Sequence, residues 1–201
     1  MRAARGYSLV EVMVAMAVLG VGASGIYGLQ TVVAKSNLHS RNLATATRIA
    51  EAWVDRLQQD SLLWNHPIDA SDAVRDDRAS DTRWLTNVTG QWFKPATIVD
   101  ATGAVLSAGF DPFGADLQGE GAESFCVNVR LSWLLESTAA ADPPYLLRGD
   151  IRVFWPRNTA HSALPCATAA APNINEVASA ADFHFLHATT AIRQNVNPLI
   201  R

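Results

Sequence analysis

Residues 1–35 read MRAARGYSLVEVMVAMAVLGVGASGIYGLQTVVAK, and the architecture follows from this stretch. Arg2 and Arg5 lie in a short basic head, Met1–Gly6. Tyr7–Ala34 is almost wholly apolar, with Glu11 as its one formal charge, and Lys35 closes the run. The 23 residues Val12–Ala34 carry no charge. As a helix they span roughly 34 Å at about 1.5 Å per residue, enough to cross a bilayer core. Because the basic residues precede the apolar run, Met1–Gly6 is expected in the cytoplasm and everything after Lys35 outside it. A carboxylate near the start of a membrane-length helix is costly to bury and needs a specific reason to be there.

A secretory signal peptide places its small-residue cleavage site after the apolar core. Here the order is reversed, because the processing point Gly6–Tyr7 precedes the apolar run. Cleavage there would leave the hydrophobic helix on the mature protein and expose a free amine at Tyr7, close to Glu11.

The run Arg5-Gly6-Tyr7-Ser8-Leu9-Val10-Glu11-Val12 resembles the class III signal of type IV pilins and type II secretion pseudopilins. The resemblance implies that a prepilin peptidase cuts after Gly6 and methylates the new N-terminus at Tyr7. The family usually has Phe there, so Tyr7 is a conservative departure. The family's glutamate is matched by Glu11. An ionised Glu11 in the bilayer wants a cation, and the N-terminal amine of a neighbouring subunit supplies one. The pair is favoured in a low-dielectric filament core and would fix the axial register. The plainer alternative leaves Glu11 at the cytoplasmic interface of an ordinary anchor.

Gly20, Gly22, Gly25 and Gly28 interrupt the apolar run, each weakening a helix by about 0.8–1 kcal/mol relative to alanine. Major pilins usually carry a helix-breaking proline in this region, whereas this chain has none before Pro67. The stretch Val18–Gln30 instead resembles PilV-type minor pilins, and from its glycines we expect local stretching or melting around Gly20–Gly28 on assembly. Small residues permitting close helix packing are the other reading. The resemblance also implies storage in the bacterial inner membrane, assembly with other minor pilins and the major pilin, and priming of pilus assembly. Its implied final place is a tip complex of the extracellular pilus, under a PilY-type adhesin. The runner-up is a GspI-like minor pseudopilin of type II secretion. The globular region is large for that type, which favours the pilus. A third reading is a membrane-anchored enzyme using the signal only for export.

From Lys35 to Leu63 there is no Pro or Gly. Leu43, Ala46, Ala50, Trp53, Val54 and Leu57 recur at three- and four-residue steps, while Arg41, Arg48, Asp55 and Gln59 fall mainly on other faces. The spacing predicts one helix over Ser8–Leu63, with residues 7–34 in the membrane and 35–63 as an amphipathic continuation. Residues 64–201 are expected to form the globular domain. Asn65–Arg83 is a charged connector without the turn glycine of a calcium loop. Trp84–Phe93 and Thr97–Leu106 are expected as short extended segments, and Ala108–Gly121 as a loop. Alternation predicts strands over Ser124–Glu136 and Tyr145–Trp155, paired as an antiparallel hairpin around Asp142-Pro143-Pro144. Pro156–Ala181 is expected as an excursion pinned by Cys166, and Asp182–Ile192 as the last strand. The fold class is therefore α+β, a long N-terminal helix against a small, mostly antiparallel sheet.

The 201-residue chain has a net charge of −3 and no lysine- or arginine-rich run, a poor basis for nucleic-acid binding. Cys126 and Cys166 match neither a Cys-x-x-Cys pair nor a zinc pattern. In an exported domain they are expected as a disulfide, with two separate buried thiols as the alternative. No phosphate loop, His-Glu-x-x-His or Gly-x-Ser-x-Gly motif occurs, and no catalytic residues, cofactor or metal are expected. His184 and His187 are three apart in a predicted strand and should point to opposite faces. The six tryptophans, Trp53, Trp64, Trp84, Trp92, Trp133 and Trp155, are expected mainly in the core and the helix–sheet seam, with an interaction surface as the alternative.

Overall fold

The computed structural model describes residues 8–64, 82–95, 109–117, 123–134, 146–157, 166 and 174–193. The chain forms two compact units, Met1–Asn42 and Leu43–Arg201.

Helix α1 runs Leu9–Ser61. Ser8 caps it: its Oγ accepts from the Glu11 N–H at 3.2 Å, and its carbonyl accepts from Val12. In the first unit the described residues are exposed up to Arg41, including large apolar side chains from Leu9 to Leu38. Two hydroxyls in this apolar segment are satisfied locally. Ser24 donates to the Val21 carbonyl and Thr31 to the Gly28 carbonyl, each at 2.8 Å.

In the second unit α1 turns one stripe inward: Thr45, Ala46, Ile49, Ala50, Trp53, Leu57 and Asp60 are buried. Leu43, expected on that stripe, is exposed, and Ile49 takes its part in the core. Arg48, Asp55 and Gln59 lie on the exposed side, as their spacing required. Three-residue hydrogen bonds at Leu62, Leu63 and Trp64 tighten the end of the helix.

The sheet is antiparallel throughout: β1 (Trp92–Phe93), β2 (Gly109–Phe110), β3 (Phe125–Trp133), β4 (Leu146–Pro156) and β5 (Phe183–Arg193). Its order is β1-β3-β4-β5, with β2 also pairing with β3. Both short strands occupy the outer side of β3, β1 opposite Val129–Arg130 and β2 opposite Phe125–Cys126. The three long strands match the predicted ones with ends shifted by a few residues. Two expectations change. Of Trp84–Phe93 only the last two residues are strand, because the backbone around Trp84 is bonded elsewhere. Within the expected loop Ala108–Gly121, Gly109–Phe110 joins the sheet. The expected segment Thr97–Leu106 and the turn at Asp142-Pro143-Pro144 lie outside the described residues, as does most of the connector Asn65–Arg83.

Strand alternation gives the sheet two faces. The near face packs Val127, Val129, Leu131, Leu147, Ile151, Val153, Trp155 and Ile192 against Ala46, Ile49, Ala50, Trp53 and Leu57 of α1. Gly149 permits the close approach. A Cβ there would stand 3.1 Å from Ile192, 3.3 Å from Thr190 and 3.4 Å from Leu57. Trp53, Trp64 and Trp155 are buried in this core, with Trp84 and Trp133 packed partly buried against it.

The chain leaving α1 is fastened by Asp60. Its buried carboxylate accepts the backbone N–H groups of Arg83, Trp84 and Leu85 at 2.8, 2.8 and 3.3 Å. Those amides are therefore withheld from strand pairing. A second clamp holds the turn after β2. Asp111 Oδ1 accepts from Phe113 and Ala115, Gly114 takes φ +84° against Thr45, and Asp116 pairs bidentately with Arg56.

Candidate functional site

The features that bear on function lie at the start of α1 and on the far face of the sheet. Gly6 and Tyr7 lie outside the described residues. Glu11 is the third residue of α1, in its first turn, where a carboxylate is also favoured by the exposed N–H dipoles of the helix. Gly20, Gly22, Gly25 and Gly28 are all helical, and a Cβ at each would meet nothing within 4 Å. The helix is thus free of any local steric need for glycine at these positions. By length and composition α1 is the one described helix that suits a membrane span.

The far face of the sheet carries a structure that local pattern did not disclose. At one end Cys126 and Cys166 form a disulfide, with Cα atoms 5.3 Å apart. It sits in a small cluster with Phe154, Ile174, Phe183 and Phe185. Toward the other end lies a charged network. Arg152 is buried, and it donates to Asn128 at 2.7 Å and to Glu176 at 2.9 Å. Glu176 opens the short helix α2 (Glu176–Ser179), capped by Asn175, and its other oxygen meets His187 Nε2 at 3.0 Å. Trp92 is held between two guanidinium groups, 4.5 Å from Arg152 and 4.7 Å from Arg130. Asp150 receives Arg130, Arg148 and Thr189 at 2.8, 2.9 and 2.9 Å.

Burial works against the charge of Asp150, but its bonds from Arg130, Arg148 and Thr189 outweigh it and hold the carboxyl below its usual range. Glu176 is likewise lowered: burial opposes ionisation, and Arg152 and His187 overcome it. Burial lowers Arg152, with Glu176 acting in the opposite sense. His184 and His187 do lie on opposite faces. His184 stacks near Trp155 on the near face, while His187 meets Glu176 on the far face. Among the described residues no three His, Cys, Asp or Glu side chains converge on a metal site. Sequence reasoning missed Arg130, Asp150, Arg152 and Glu176. The available signal was charge at every second position of β4, Arg148, Asp150 and Arg152, in an otherwise apolar strand.

No curated protein and no solved structure matches the chain. Residues 1–27 match the family model of the prokaryotic N-terminal methylation motif. That signal implies processing by prepilin peptidase and fits anchoring of α1 in the inner membrane before assembly. Together with the long helix and the small antiparallel sheet, the match supports a type IV pilin-like protein, pilin or pseudopilin.

Proposed function

We propose that the protein is a minor pilin of a type IV pilus, a non-enzymatic subunit that primes assembly and joins other minor pilins in a tip complex. The observation that carries the reading is the N-terminal methylation motif running directly into α1, whose apolar first part is exposed along its described length. An exposed apolar helix of this length is stable in a bilayer or in a bundle of like helices, and the proposal uses both in turn. Glu11 and the methylated Tyr7 amine of a neighbour form the docking pair. The glycines at 20, 22, 25 and 28 let the helix yield locally in the filament. Continuous helical hydrogen bonding there in an assembled filament would refute that part.

The size of the globular region supports a pilus over a GspI-like pseudopilus. Intact-mass measurement of the membrane form tests processing; the expected species begins at methylated Tyr7. Glu11→Ala tests docking, with normal membrane levels and loss of surface pili expected. Pili at wild-type numbers would overturn the docking role. Loss of exoprotein secretion with pili retained, on deletion of the gene, would move the protein to the secretion pseudopilus.

A further inference from the structure

The two edges of the sheet are built differently. On the β3 side the edge strands are short and promptly ended. β1 has two residues followed by Lys94 and Pro95, and β2 has two residues followed by Asp111 and Pro112. Short strands, charge and proline are the devices that keep an edge from pairing with another chain. The β5 side has neither a short strand nor a proline, and its one formal charge is Arg193 at the strand's end. β5 is 11 residues long, contains no Pro or Lys, and its register with β4 is unbroken from Phe183 to Arg193, without a bulge. From Phe185 to Arg193 its backbone pairs only with β4 among the described residues. His187, Thr189, Ala191 and Arg193 are exposed on the far face along this edge.

The charge beside that edge is one-sided. Among the described residues the far face carries Arg130, Arg148, Arg152 and Arg193 against Asp150 and Glu176, in a chain whose net charge is −3. Arg148 stands opposite Ala191 and keeps a 48% exposed side chain despite its bond to Asp150. Arg193 has no ion pair among the described residues.

We propose that the outer edge of β5 is a docking rail for an extended segment of another protein, which adds one strand to the sheet and places acidic side chains on its far face beside Arg148 and Arg193. The backbone ladder supplies affinity, and the alternate side chains supply choice of partner. A second copy of this chain fits less well, because pairing β5 with β5 brings both sets of arginines onto one continuous face. The proposal rests on the sheet edge and goes beyond the pilin-like reading; it holds for either kind of filament.

The test uses the full-length protein in detergent micelles and amide hydrogen exchange along β5. The probe is a synthetic peptide of about ten residues alternating valine and glutamate; its control alternates valine and lysine. The acidic peptide should slow the outward amides between Leu186 and Ile192 by about tenfold or more, and the basic one should not. Ala191→Glu, which gains Arg148 as a cross-strand partner, should abolish the effect, as should Arg193→Glu, each with its unfolding temperature retained. No slowing, or equal slowing by both peptides, overturns the proposal. Outward amides already slow in the free protein also overturn it: at the mass of a dimer a second copy holds the edge, and at the mass of a monomer the chain covers it itself.

Discussion

Asp60 shows how much one side chain settles. It lies near the end of α1 with its carboxylate buried, and the three successive N–H groups of Arg83, Trp84 and Leu85 converge on it. Replacing it with alanine leaves those donors without their acceptor, at a cost of about 3 kcal/mol. Urea unfolding of Asp60→Ala should show that loss, with an unchanged slope if the denatured state is unaffected. In the sequence Asp60 is simply a polar residue in a helix. Its partners are more than twenty residues away, so no local pattern could reveal it. Asp150 acts at the same scale, with one arginine partner two residues away and another across the sheet. Its folded-state pKa lies below the ordinary value of 3.8, so the unfolded chain binds its proton first as the pH falls. Its contribution to stability is fully present above about pH 5 and is lost as the pH drops through the folded value. Asp150→Asn should therefore be less stable near neutrality and lose less further stability between about pH 5 and pH 2. An acid transition identical to that of the parent would show that Asp150 does not drive it.

At the scale of elements, the strands were legible because one face of the sheet is dry. Phe125, Val127, Val129, Leu131 and Trp133 alternate so regularly that only a half-buried strand accommodates them. The far face gave no such signal, since buried arginine, asparagine and cysteine there spell out an ordinary solvated face. Its burial depends on α2 and Cys166, which arrive from distant parts of the chain. The short strands β1 and β2 were beyond pattern for a different reason: two residues carry no period. Gly149 belongs to this scale too, because its missing side chain sets the spacing of helix and sheet. Gly149→Val should destabilise by about 1–3 kcal/mol through overpacking against Leu57, Thr190 and Ile192. A thermal midpoint within error of the parent would mean that α1 shifts to accommodate the side chain.

For the whole molecule, the long helix and the α+β class came directly from the sequence, because membrane length and amphipathic spacing are both local properties. What the globular unit recognises was not legible, since it depends on which edge of the sheet remains open. The disulfide was an expectation from two cysteines, and the structure joins them. Cys126 lies in β3 and Cys166 beyond β4, a separation of 40 residues that encloses the whole of β4. In the pilus proposed above, each subunit would bear load. When force is applied to the ends of this chain, the looped segment carries no tension while the bond is intact. At about 3.5 Å per residue it withholds roughly 140 Å of contour length from extension. Single-molecule pulling should show a final extension shorter by about that amount in the oxidised protein than in the reduced one. The crosslink thus acts as a strain limiter, so that an overstretched subunit stops lengthening with its central hairpin still tied.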